Sequence, residues 1–208
     1  MKSIHTGFLA VAVAGLAACF AQAAPTEAEL QAAVESYFSD LFTRLGAVAA
    51  QSPTEDSFRD LMKPQAAKID GLFGATLINA DWEIRQVYFK RDFLAVGFSL
   101  KKVKELDAFR KLMDESPAPQ LSEPGHGNLL QPRLIALRYP MLKDGKMAGM
   151  VSAMIRTEAF LKAVKLDTCK AFTFTCLGKE AESKGTLTDA RKTVTLSLPS
   201  TTWVIEFE

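Results

Sequence analysis

The chain has 208 residues, 25 of them basic and 24 acidic, so it is close to neutral. It holds no cluster of Lys and Arg, which removes the electrostatic basis for binding nucleic acid. Beyond the first two dozen residues there is no run of 18 apolar residues, which leaves no second segment suited to a membrane span.

The N-terminus reads as a leader. Lys2 gives a short positive region, Gly7 to Ala18 is an uncharged apolar or small-residue run of 12, and Ala21-Gln22-Ala23 supplies an A-x-A cleavage site. Residues 1–23 are therefore a signal peptide, and the mature chain is expected in the periplasm or secreted. Leu16-Ala17-Ala18-Cys19 also resembles a lipobox, which would lipidate Cys19 and anchor a lipoprotein instead. Plain cleavage after Ala23 is preferred. It leaves residues 24–208, about 185 of the 208, which suits one domain.

Thr26 and Glu29 form a T-x-x-E capping box. Leu30, Val34, Tyr37, Phe38, Leu41, Phe42, Leu45 and Val48 then recur at helical spacing and predict a long amphipathic helix to about Ala50. Ser52, Pro53 and Glu55 predict the start of a second helix, which Pro64 limits. FGATLINA and EIRQVYFK predict a hairpin around Asp81-Trp82. Trp82 is read either as a ligand platform or, by preference, as an aromatic covering the hairpin edge. FLAVGFSL is expected to continue the sheet in part, and Val103 to Met113 to be helical. Pro117 to Pro132 holds four prolines and two glycines and predicts a long irregular stretch.

RLIALRYPML and KMAGMVSAMI flank Asp144-Gly145, a strong turn dipeptide, and predict a central hairpin buried on both faces. Thr157 is expected to cap the short helix EAFLKAVKL, and KAFTFTCL to be a strand. GKEAESKGTLTDA is expected as an exposed loop. KTVTLSL and TTWVIEFE close the chain as an antiparallel pair.

This order resembles an extracellular Cache domain, a PAS-like sensor family. The residues that carry the resemblance are RYPMLKDGKMAGMVSAMIRTEAFLKAV, the preceding long helix, and the closing Thr202-Trp203-Val204-Ile205. The resemblance implies an α+β fold: a PAS-like central antiparallel sheet, a long N-terminal helix on one face and a helix/loop lid on the other. It also implies a small-molecule ligand bound under the lid. The sequence departs from the family plan in two ways. No transmembrane helix or transmitter follows the domain, so signalling is expected to pass through a membrane partner, a sensor kinase or chemoreceptor. The Arg-x-Trp signature of amino-acid-binding relatives is also missing.

Catalysis is not expected, and neither is a cofactor or a metal. His126 is the one histidine of the mature chain; there is no G-x-S-x-G elbow, no P-loop and no G-x-G-x-x-G. A hydrolase would have to use His126. Candidate ligand-binding residues are His126 in the lid, Arg133 at a strand start, and Arg138 and Tyr139, which point to opposite sheet faces. An arginine would suit a carboxylate through paired hydrogen bonds. Met141, Met147, Met150 and Met154 are read as an adaptable pocket lining or as core. Cys169 and Cys176 are read both ways. Parity in an oxidising compartment calls for a disulfide. Against this, seven residues of strand would separate the Cα atoms by roughly 23 Å. The alternative function is a non-sensing periplasmic interaction protein on the same fold, and the long helix is a candidate homodimer contact.

Overall fold

In the computed structural model, residues 24–89, 95–125 and 133–208 are described. The leader, Cys19 and His126 lie outside them.

Helix α1 (Glu27–Ala49) begins at the expected capping box: the Thr26 N–H donates to Glu29 Oε2 at 2.8 Å, and the Glu29 N–H donates to Thr26 Oγ1 at 3.2 Å. The Thr26 N–H and the Thr26 hydroxyl both donate to the Glu29 carboxylate and hold its pKa below the ordinary value. The helical stripe is buried as its spacing predicts, from Leu30 to Val48. Helix α2 (Phe58–Ala66) starts later than expected. Ser52 takes a left-handed conformation with φ 47° and caps nothing, and a turn held by Thr54 and Ser57 precedes the helix. Pro64 lies inside its last turn.

The first sheet contains β1 (Leu72–Asn79), β2 (Ile84–Phe89), β3 (Gln120–Leu121), β4 (Leu134–Lys143) and β5 (Lys146–Arg156), in the order β2-β1-β5-β4-β3 and antiparallel throughout. The β4–β5 turn is the Asp144-Gly145 pair, both at positive φ (52° and 74°), as a tight hairpin requires. The central strand β5 is buried on both faces through its middle; β4 is fully buried only at Ile135, Leu137 and Pro140. Residues 95–97 form a turn, and Gly97 to Leu100 then pair with Trp82 to Ile84 through three backbone hydrogen bonds around an antiparallel bridge between Glu83 and Ser99, so this stretch continues the sheet in part. Helix α3 (Asp107–Glu115) follows, starting later than Val103 because short 3-10 turns come first.

The closing strands form a second sheet. It contains β6 (Phe172–Cys176), β7 (Lys179–Lys184), β8 (Lys192–Leu198) and β9 (Thr201–Phe207), in the order β7-β6-β9-β8. The polar stretch after Leu177 is therefore half strand. Leu177 and Gly178 make a tight turn at positive φ, and β7 is an edge strand that buries Ala181 and Glu182. Helix α4 (Thr157–Ala163) links the sheets; Arg156 occupies its N-cap position, and Thr157 lies inside the helix with its hydroxyl unpartnered.

One core joins both sheets to α1. At its centre Phe38, Phe160, Phe174 and Trp203 interlock, with ring centroids 5.2 Å apart for Phe38–Phe160 and 5.8 Å for Phe174–Trp203. A smaller apolar cluster on the other face of the first sheet contains Ile78, Trp82, Val87, Met113 and Met150.

Candidate ligand site on the far face of the first sheet

The pleat assigns each residue of β4 to a face. Ile135, Leu137, Tyr139 and Met141 face α1 and the main core. Ala136, Arg138 and Pro140 face the other way, toward α3. The register then aligns a row across the sheet: Val87, Thr76, Ser152, Arg138 and Gln120 stand side by side on five consecutive strands. Three of them, Thr76, Ser152 and Gln120, are polar and 5–6% exposed. Buried polar groups are destabilising unless they are partnered, so such a row needs a reason.

Arg138 is the charged member. Its guanidinium lies over the Phe109 ring of α3, 4.1 Å from the centroid. Burial lowers its pKa to about 10, and the charge of Glu123 opposes that shift. Among the described residues no carboxylate forms an ion pair with it. Beside it on β3, the Gln120 Nε2 is buried and has no hydrogen-bond partner among the described residues. One residue after Phe109, the Arg110 Nε is also buried and unpartnered, although another Arg110 nitrogen pairs with Asp107. Ser152 is already engaged, its Oγ donating to the Leu137 carbonyl at 3.1 Å. Trp82 closes the same side: it is 2% exposed, sits at φ 65° in the hairpin turn, and donates from Nε1 to Asp114 at 3.2 Å. It ties the hairpin to α3 and is no exposed platform.

The other candidates lie elsewhere. Tyr139 packs on α1, where a Cβ at Gly46 would stand 3.0 Å from the ring. Together with Phe42, Thr43 and Leu198 it lines an open groove of about 610 Å³ beside the helix. Arg133 pairs with Glu182 on β7, whose side chain is 2% exposed, and so joins the two sheets. Cys169 and Cys176 are free, buried thiols, and no bridge joins them. Only Cys176 lies in β6; Cys169 ends the 3-10 turn ahead of it. The methionines divide: Met147 and Met150 belong to the small cluster, Met141 to the main core. Sequence reading missed Gln120, Arg110, Thr76 and Ser152. Ser152 had a signal, as a lone hydroxyl in the apolar run MVSAM. Among the described residues no three His, Cys, Asp or Glu are grouped to hold a metal, and no helix is long and apolar enough to cross a membrane.

This arrangement is the fold of the Cache-like ligand-binding domains of bacterial chemoreceptors. The ligand-binding domain of the Pseudomonas aeruginosa PAO1 amino acid chemoreceptor PctC, in complex with GABA, superposes with a TM-score of 0.62 at 13% identity, over 86% of this chain and 94% of that one. The ligand-binding domain of Pseudomonas fluorescens chemoreceptor CtaA, in complex with L-leucine, gives 0.61 at 14% identity, over 87% and 89%. An extracellular ligand binding receptor from Desulfohalobium retbaense DSM5692 gives 0.65 at 15% identity; the match covers 86% of this chain but 39% of that receptor. No protein-family model matches the sequence, and no curated protein matches it either.

Proposed function

We propose that residues 24–208 are a single exported sensory domain that binds a small molecule between α3 and the first sheet and reports occupancy to a membrane sensor kinase or chemoreceptor. The observation that carries this reading is Arg138: a desolvated guanidinium with no described ion-pair partner, beside a buried amide that also lacks one. The ligands named with the similar domains, GABA and L-leucine, are small carboxylates and support it. The role is one of binding, not catalysis.

A route for the signal is built into β3. The Leu121 N–H, next to Gln120, donates to the Pro199 carbonyl at 3.1 Å and to Ser200 Oγ at 3.3 Å, on the β8–β9 turn. A ligand that engages Gln120 would favour one position of β3 and so bias the second sheet. Export by the leader, release after Ala23 and a homodimer through α1 belong to the same reading. The mass of the N-terminal peptide would identify Ala24 or a lipidated Cys19 as the first residue, and light scattering would test the dimer.

A thermal-shift screen against organic acids, amino acids and amines tests the central claim. At ligand concentrations 100-fold above Kd the stabilisation is about 2.7 kcal/mol. Arg138→Ala should abolish it. The groove beside α1 favours a second reading, a non-sensing interaction protein on the same fold. Silence across the panel would reject the sensor in its favour.

A further inference from the structure

Residues 24–208 hold two cysteines, Cys169 and Cys176. Both are free thiols buried in the main core, at 1% and 4% exposure. Burial raises the pKa of each, that of Cys176 to about 12, so the folded protein presents almost no thiolate for exchange.

The fold also keeps them apart. Phe172 to Cys176 pair residue by residue with Phe207 to Trp203, and the ladder runs on to Ala171, whose carbonyl accepts from the Glu208 N–H at 3.0 Å. Ala171 to Cys176 is thus extended, and its strand steps set the two Cα atoms roughly 17 Å apart. Cys169, two residues earlier, can recover at most about 7 Å of that span. At least about 9 Å remains, and a disulfide needs Cα atoms within about 7 Å.

The unfolded chain has no such restraint. Six residues separate the two cysteines, so their thiols meet readily and at the ordinary thiol pKa. One thiolate attacks an external disulfide and releases a thiol; the second attacks the mixed disulfide and releases another. The cysteine pair loses two electrons and two protons, and the external disulfide is reduced to two thiols. A dithiol reverses both steps. The proposed export exposes the chain to a compartment that supplies such disulfides.

A bridge between these cysteines is incompatible with the second sheet. Strand β6 lies between β7 and β9. Its Phe174 packs on Phe160 and Trp203, with ring centroids 6.0 and 5.8 Å away, in the core shared by both sheets. Closing the loop from Cys169 to Cys176 bends β6 out of the ladder and withdraws Phe172 and Phe174 from that core.

We infer that Cys169 and Cys176 form a redox gate on folding. The dithiol chain folds and then shields both thiols; the chain bridged between them cannot assemble the second sheet until a dithiol reductant opens the bridge. The gate does not depend on what the first sheet binds.

The test uses the purified protein from Ala24 to Glu208, unfolded in urea with oxidised glutathione. The chain should become lighter by two hydrogen atoms, with Cys169 and Cys176 joined in the peptide map. After dilution without reductant, the bridged chain should lack the near-UV dichroism and cooperative melting of the dithiol chain, and dithiothreitol should restore both. The double variant Cys169→Ala, Cys176→Ala should refold alike with and without the oxidant; where it does not fold, the reduced wild-type chain serves as the control. In the native protein the bridge should form at least about 100-fold more slowly than in urea, because it waits on unfolding. A bridged chain that regains the native spectrum and melting temperature overturns the gate. So does an unfolded chain that takes up glutathione without bridging, or a native protein that bridges as fast as the unfolded one.

Discussion

Both sheets press one face against α1, and they differ in what lies on the other. In the second sheet, the far face carries Thr173, Thr175, Thr193, Thr195 and Val204, with Thr193 and Thr195 exposed. Hydroxyls there keep their water and carry little penalty. In the first sheet, α3 covers the far face, and Thr76, Ser152 and Gln120 are buried there beside a guanidinium. Polar side chains are cheap on the open face and expensive on the covered one. Apart from Glu182 on β7, the buried polar row thus lies on the covered face of the first sheet, the face of the proposed ligand site.

The largest test of that division strikes the shared core. Trp203 is fully buried and touches Phe38, Phe160 and Phe174. Trp203→Ala should destabilise the protein by about 3–5 kcal/mol. Because one cluster includes residues of both sheets, urea unfolding followed by far-UV dichroism and by Trp82 fluorescence should shift together. Two separated transitions would show that the sheets are independent units.

Alkaline pH acts next, and on the support. Cys176, the register partner of Trp203, is buried as a thiol, which raises its pKa from the ordinary 9.0 to about 12. Burial, helped by the charge of Asp70, likewise raises Tyr37 from 10.0 to about 12. Between those values the unfolded chain loses protons that the folded chain retains. Stability is thus full below pH 9 and falls as pH rises toward 12, by at most about 1.4 kcal/mol per pH unit for each group. Cys176→Ala should flatten that decline in a urea series from pH 8 to 11. An unchanged slope would mean that the thiol is ionised in the folded state.

The link between the sheets comes third. Arg133→Ala removes an ion partner of Glu182, a carboxylate that is almost wholly buried, while Arg133 is itself 53% exposed. The expected loss is about 1–2 kcal/mol, below that of a fully buried pair because solvent screens the arginine. Ligand affinity should stay within twofold. A large loss of affinity would move Arg133 into the binding site.

How much of this was legible depended on how local each determinant is. The capping box of α1, its apolar stripe and the Asp144-Gly145 turn are set within a few residues of sequence, and they formed as read. So did the order of elements that carried the Cache resemblance. The β7 strand was hidden because its one buried charge, Glu182, is matched by an arginine 49 residues earlier. The same distance made Arg133 look like a ligand group. Gln120 was invisible because β3 is two residues long and exists only by pairing with β4. The strand period placed Arg138 and Tyr139 on opposite faces, but the packing of α1 and α3 was needed to assign which face was which.

The smallest expected effect is the sharpest test of the comparison. Arg138→Met keeps the side-chain length and the contact with Phe109 but removes a desolvated charge that has no described ion partner. If the arginine serves a ligand, the protein should gain stability, by up to about 1 kcal/mol, or some 2–4 °C in Tm. The linkage has a definite sign. The folded pKa lies near 10, well below the ordinary guanidinium value, so the unfolded chain binds the extra proton above pH 10. The penalty is present in full at neutral pH and is relieved as pH rises through that window. The advantage of Arg138→Met should therefore hold up to about pH 10 and shrink above it. Thr195→Ala, on the open face of the second sheet, should change stability by less than about 0.5 kcal/mol and binding not at all. Destabilisation by more than about 2 kcal/mol in Arg138→Met would make the arginine a structural group. The covered face would then differ from the open one in packing alone.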